Sequence, residues 1–297
     1  MITILTPTYN RAKLLKSLFI SLCSQTSFDF EWLIVDDGST DDTSQVVRTF
    51  ESDKFPIRYF KKENGGKHTA LNYAHPHIKG ELLFIVDSDD TLTPDAIETI
   101  KSDWTRFGQE SQIGMLSYTR QYTTGELISK GNIADYYIDN DINYRVNKNI
   151  GGDRCEVVRS DIFKKFKFPE FAGERFMGEG WLWKKIALEY NTVYFGKSIY
   201  ICEYLPGGLS RSGRLFRMSN PYGMMENCKA FMIPQVCLKV KAKEVLLFGV
   251  YGFCANLSIG EIVRKSNYHL FQLLMLPFSY CLFRYWARIN GFKRKQK

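Results

Sequence analysis

The sequence predicts an α/β fold built on a mostly parallel, doubly wound sheet. Two observations carry this. Over the first hundred of 297 residues, short apolar runs alternate with stretches of helical periodicity. Two of those runs end in clustered acids, Asp36-Asp37 and Asp87-Ser88-Asp89-Asp90. Such alternation builds parallel strands with helices on both faces, and ligands bind beyond the carboxyl ends of the strands.

The elements follow in order. "ITILTPTY" reads as a buried strand, with Asn10 as the N-cap of a helix carrying Leu14, Leu15, Leu18, Phe19 and Leu22 at helical spacing. "EWLIVDD" is a second strand, and a short helix with Val46, Val47 and Phe50 comes after it. "IRYFKK" is a weaker third strand. "NGGKHTALNYAHPHIKG" holds a glycine turn and a helix, with His75 and His77 read as solvated loop residues. "ELLFIVD" is the fourth strand, and Thr93 precedes Pro94 at the first position of another helix. Farther on, "IGMLSYTRQYTTGELIS" has strand character, "GEGWLWKKIALEY" is an amphipathic helix and "TVYFGKSIYICEY" reads as a strand pair. Two apolar helical stretches follow Asn220, and Pro277 is expected to kink or break the second. Neither offers about 20 uninterrupted apolar residues, so a membrane-spanning helix is not favoured.

Composition narrows the class. Seven cysteines, an odd number without C-x-x-C spacing, argue against a disulfide framework or zinc site and for reduced thiols. The opening "MITILTPTYN" has no basic n-region, so no secretory signal peptide is expected. The net charge of +8 is concentrated. From 262 to 297 there are eight basic residues and no acidic one, and the other 32 basic residues balance the 32 acids.

Clustered carboxylates repel one another unless a cation offsets them. Asp89 and Asp90 are hard oxygen ligands of the kind Mg²⁺ or Mn²⁺ shares with phosphate oxygens and water. A carboxylate at Asp37 can accept hydrogen bonds from a base or ribose. Glu179, at the head of the helix anchored by Trp181, Leu182 and Ile186, is placed as a general base. The competing reading for each is plainer: Asp-Asp-Gly-Ser is a common turn, and an acid at a helix N-terminus complements the dipole.

"ILTPTYNR", "IVDDGSTDDT", "NGGKHTALN" and "FIVDSDD" resemble, in order and spacing, the successive signatures of family 2 glycosyltransferases with a GT-A fold. "GEGWLWKKIA" is similar to the family's later "ED" helix motif, with Glu where Asp is commoner and Gly178 in place of the usual Glu. "YLPGGLSRSGR" resembles the stretch that follows in surface-polysaccharide members. The resemblance implies inverting transfer from a nucleoside-diphosphate sugar, a UDP-sugar above all, to a hydroxyl of a lipid-linked saccharide. It implies Pro7, Thr8 and Tyr9 bordering the base, Asp37 meeting it, and Lys67 near the diphosphate. Asp87 with Ser88 would lie towards the ribose, Asp89 and Asp90 at the metal, and Glu179 as catalytic base. Trp181, Arg211 and Arg214 are the acceptor-side candidates. Residues 1–100 then form the donor-binding half, 101–217 the acceptor half and 218–297 a helical, basic and aromatic extension. Sugar transfer to a polyprenyl phosphate, or a non-catalytic nucleotide- or membrane-binding role, are the alternatives.

The extension interleaves Tyr268, Phe271, Phe278, Tyr280, Phe283, Tyr285, Trp286 and Phe292 with its cations. Its Leu-Leu-Met-Leu-Pro-Phe run is too apolar for a nucleic-acid groove. An anionic membrane surface accounts for apolar, aromatic and basic residues together. The expected place is the cytoplasm, peripheral on the inner face of the plasma membrane. A helical cap on the catalytic domain or a homodimer interface is the alternative.

Overall fold

A computed structural model describes residues 1–128, 133–202 and 213–293. Its centre is a nine-stranded sheet ordered β3-β2-β1-β4-β8-β6-β9-β5, with β7 also paired to β9. The strands and helices run β1 Ile2–Thr8, α1 Ala12–Cys23, β2 Phe30–Asp36, α2 Thr43–Arg48, β3 Ile57–Lys61, α3 Lys67–Ala74, β4 Leu82–Ile85, β5 Thr91–Leu92, α4 Ala96–Phe107 and β6 Ile113–Gln121. They continue with β7 Tyr136–Asp139, β8 Arg154–Arg159, α5 Ser160–Phe163, α6 Gly180–Ile186, β9 Asn191–Ile201, α7 Gly213–Met218, α8 Pro221–Phe231, α9 Leu238–Cys254, α10 Ile259–Lys265 and α11 His269–Ile289.

The first four strands in the sheet order are parallel, as alternation predicts. Register then decides where the acids go. Ile2 pairs with both Phe30 and Leu82, so β1, β2 and β4 end at one edge and deliver Asp37 and Asp87 to it. Beyond β4 the sheet is mixed: β8 is antiparallel to β4 and β6, whereas β9 is parallel to β6. Both faces are covered. One core packs Leu15, Leu18, Leu22, Trp32, Phe84 and Ile97 under α1, α2 and α4. The other packs Leu33, Leu83, Ala70, Ile162, Trp181 and Ile186 under α3, α5 and α6. A third, around Met218, Met224, Phe248, Phe253, Ile262 and Phe283, belongs to the C-terminal helices.

Several local expectations change. Asn10 does not cap α1; it sits at φ 53°, and its Oδ1 accepts from the Thr40 and Asp41 amides, tying two loops together. Asp41 instead accepts from the Ala12 amide. Pro94 lies just outside α4, whose N-cap is Asp95, because its carbonyl accepts from Thr26. "TVYFGKSIYI" is one strand, not a pair. Tyr194 pairs with Ser117 and Ser198 with Thr119, so the Gly196 region makes a bulge instead of a turn. Pro277 does not end α11. It is exposed, so the carbonyl it leaves without an amide partner faces solvent, where water can serve it. His75 is not solvated but buried against Phe163, whereas His77 is half-buried and stacks on Phe60 at 3.9 Å. Trp181 and Trp183, two apart on α6, are both buried in the same core.

Candidate active site

The β1 and β2 ends build the first wall. Pro7 and Thr8 are buried at the end of β1, with the Thr8 hydroxyl lacking a partner, while Tyr9 is exposed. Asp36 is buried and accepts from the Ser39 amide at 2.7 Å and the Tyr59 hydroxyl at 2.5 Å. Asp37 was expected to meet a nucleobase, but its carboxylate is already committed to the protein. Its Oδ1 accepts from Lys62 Nζ (2.8 Å), the Gly65 amide (2.9 Å) and Thr69 Oγ1 (3.4 Å). Its Oδ2 accepts from the Gly66 amide (2.6 Å) and Asn64 Nδ2 (3.2 Å). Asp37 thus fixes the Asn64–Gly66 turn that launches α3.

That turn is tight for a second reason. Gly66 has φ 96°, and a Cβ there would lie 2.0 Å from the Arg175 carbonyl oxygen. Only glycine permits both the dihedral and the approach. Lys67 follows at the first position of α3, and the geometry aims its side chain across the edge of the sheet.

The centre of the site is an ion triad. The Lys67 ammonium pairs with both Asp87 and Glu179. All three side chains are part-buried. Burial opposes the charge on Lys67, but Asp87 and then Glu179 outweigh it and hold the ammonium above its ordinary pKa. Burial would raise Asp87; Lys67, Arg120 and Arg11 overcome it and keep this carboxyl below its usual range. The Asp87 amide donates to the Tyr200 hydroxyl at 2.9 Å, which fixes the loop beneath. Glu179 stands at the N-cap position of α6 without a side-chain capping bond, so its carboxylate turns to Lys67 instead. Trp181, Leu182, Trp183 and Ile186 hold α6 in the core, and a buried Lys184–Asp141 pair pins it.

The remaining acids have cationic neighbours too. Arg11 lies 3.5 Å from Asp89, and Arg120 lies 3.8 Å from Asp90 while stacking on the Tyr200 ring. Ser88, between Asp87 and Asp89 in sequence, is buried. Asp90 is buried, and burial followed by Asp87 pushes its pKa up to about 7, against Arg120. Among the described residues no three His, Cys, Asp or Glu side chains form a complete metal cage. The donor set still fits Mg²⁺ or Mn²⁺, which takes one or two carboxylates and completes its shell with phosphate oxygens. Asp89 and Asp90 are hard oxygen donors, and they stand beside Asp87 just past the end of β4, at the carboxyl edge of the sheet.

The acceptor-side candidates fare differently. Trp181 packs on Phe168 inside the core, at 5.3 Å between rings, and does not line a cleft. Arg214 stacks on Trp286 at 4.3 Å, bringing α7 against α11. Arg211 lies outside the described residues. Sequence reasoning missed Arg11, Arg120 and Tyr200 as partners of the aspartates. Arg11 ends the quoted "ILTPTYNR" stretch, but Arg120 and Tyr200 reach the site only through the β6–β9 register, which no local pattern reveals.

Comparison with known proteins agrees with this architecture. Residues 3–165 match the family model described as glycosyl transferase family 2. The chain is similar to glycosyltransferase GlyA of Streptococcus pneumoniae, 27% identical over 225 residues, or 71% of this chain and 31% of GlyA. It is 24% identical to GlyG of the same organism, over 71% of this chain and 73% of GlyG. Among solved structures, S. aureus TarS 1–349 in complex with UDP-GlcNAc superposes with a TM-score of 0.63 at 18% identity, covering 99% of this chain and 93% of that one. A Pyrobaculum calidifontis mannosyltransferase in complex with GDP-Man and Mn²⁺ superposes with a TM-score of 0.58 at 18% identity, covering 98% and 84%. The fold is therefore GT-A, with a C-terminal helical extension. The family match spans more than half of the sequence, and the chain belongs to glycosyl transferase family 2 and is a glycosyltransferase.

Proposed function

We propose that the protein transfers a sugar, with inversion, from a nucleoside-diphosphate sugar to a hydroxyl of a lipid-linked saccharide, in the synthesis of a surface polysaccharide. The observation that carries this is the Lys67 triad. It brings a donor-side carboxylate, Asp87, and the candidate base, Glu179, to one point at the carboxyl edge of the sheet. In a single displacement the acceptor oxygen attacks the anomeric carbon as the bond to the diphosphate oxygen breaks. The diphosphate leaves with the electron pair, and Glu179 takes the hydroxyl proton. Pro7, Thr8 and Tyr9 border the base, and the unpartnered Thr8 hydroxyl is a candidate contact. Asp87 and Ser88 would face the ribose, Lys67 would neutralise the diphosphate, and Asp89 with Asp90 would hold Mg²⁺ or Mn²⁺. When bound, that ion supplies Lewis-acid stabilisation of the leaving diphosphate. The UDP-GlcNAc and GDP-Man complexes of the structural neighbours, one with Mn²⁺, support this donor class. Residues 1–100 are assigned to the donor and 101–217 to the acceptor.

The extension is assigned to an anionic membrane surface. Along α11, Leu270, Leu273, Leu274, Phe278 and Tyr285 are exposed on one face, and Arg284 and Arg288 share that face towards its C-terminal end, with exposed Lys293 just past the helix. No helix among the described residues is long and apolar enough to cross a membrane. Apolar stripe and cations together suit a helix lying in the interface.

A thermal-shift screen of sugar nucleotides with Mn²⁺ identifies the donor by mass action. With that donor, Glu179→Gln is expected to bind nucleotide like the wild type while kcat falls about 10²–10⁴-fold. The ammonium paired to Glu179 also favours a second reading, an acceptor that is already ionised, such as a polyprenyl phosphate. An unchanged kcat in Glu179→Gln selects that reading and removes the base.

A further inference from the structure

We propose that Lys67 is a shared counter-ion, and that its transfer from Glu179 to the donor's diphosphate is what releases the base to act. The proposal rests on the transfer reading above and adds to it a coupling between donor binding and the base. Lys67 has three N–H donors on one ammonium. Two are taken by Asp87 and Glu179, carboxylates from opposite ends of the site. The ammonium contacts one oxygen of Glu179, Oε1, and an adjacent positive charge favours a carboxylate's charged form over its protonated one. Moving the cation off Glu179 therefore favours proton transfer to it.

The arrangement favours a swap over a loss of the cation. The backbone of Lys67 is fixed, because Gly66 is wedged against the Arg175 carbonyl and bonded to Asp37. Its side chain, four methylenes ending in a point charge, is the part free to move. Asp87, on the donor side, keeps Arg120 and Arg11 as further cations, whereas Glu179 has Lys67 as its paired cation among the described residues. A diphosphate concentrates more negative charge than one carboxylate, and an ammonium drawn to it on the donor side stays near Asp87 and leaves Glu179 without its paired cation. Lys67 thus acts as a positioning residue for the base.

The test is a carbon-13 spectrum of the full chain labelled at the glutamate side-chain carboxyl. The Glu179 signal is assigned by its loss in Glu179→Gln. UDP, GDP, dTDP and CDP are each added with diamagnetic Mg²⁺, and binding is followed in parallel by calorimetry. In the wild type the Glu179 signal is expected to shift as nucleotide saturates. In Lys67→Gln it should already sit at the shifted position and stay there, and Lys67→Arg should restore the response. Nucleotide binding with a stationary Glu179 signal in the wild type overturns this proposal and leaves the transfer reading standing. Absence of binding by all four nucleotides overturns both. Should Lys67→Gln fail to fold, the wild-type titration alone decides.

Discussion

Replacing Asp37 by Asn separates a residue that touches nucleotide from one that builds the site. The carboxylate accepts on both oxygens, from three donors at Oδ1 and two at Oδ2. An asparagine presents one acceptor oxygen and one NH₂ group. Whichever way it flips, the NH₂ faces at least two donors, the Gly66 amide and Asn64 Nδ2 in the milder orientation. A stranded buried donor costs about 1–3 kcal/mol, so for two the loss is about 2–6 kcal/mol before the lost charge opposite Lys62 is counted. Urea denaturation of Asp37→Asn should show this as a lower midpoint with an unchanged slope. Nucleotide affinity should fall as a consequence, because the turn that carries Lys67 loosens. A variant within about 0.5 kcal/mol of wild-type stability that nonetheless loses nucleotide binding would refute the reasoning and return Asp37 to direct contact with the base.

Two further outcomes follow from neighbouring geometry. Gly66→Ala must accommodate a glycine-only dihedral, costing about 1–3 kcal/mol, as well as a Cβ inside the Arg175 carbonyl. Its denaturation midpoint should drop clearly, and an unchanged one would contradict the proposed wedge. His75 is neutral by burial, which lowers its pKa from 6.5 to about 4, with Lys167 and Lys164 adding to the effect. The unfolded chain therefore binds this proton first. Its contribution to stability is full above pH 6.5 and is lost as pH falls towards 4. Between pH 7 and 4.5 the wild type should lose on the order of 2 kcal/mol more than His75→Phe, read by denaturation at the two pH values. Equal losses would remove His75 from the acid response.

Much of the donor half was legible because its signals are local. A run of apolar residues that leads into aspartate announces both its burial and its edge, and β2 and β4 do this. The helical periodicity of α1 and α6 was equally plain. What stayed hidden depends on long-range register or on competition between partners. Asn10 looks like a cap until the Thr40 and Asp41 amides, thirty residues away, claim its oxygen. Trp181 looks like an acceptor-side residue until Phe168, thirteen positions earlier, packs on its ring inside the core. Asp37 and Lys67 were named as site residues from motif position. That Asp37 serves the fold, and that Lys67 joins two carboxylates, are facts about three-dimensional neighbours. The same holds for Arg120, which reaches Asp90 from a strand beyond the motif-bearing half.

The central claim is that this site binds a nucleoside-diphosphate sugar through a divalent ion at Asp89. Calorimetry of the wild type and Asp89→Ala with the donor's nucleoside diphosphate, with and without Mn²⁺, tests it most directly. The account predicts wild-type binding that Mn²⁺ strengthens, and an Asp89→Ala variant in which that strengthening is gone. Mn²⁺ enhancement undiminished in the variant, or no nucleotide binding by the wild type, would contradict it.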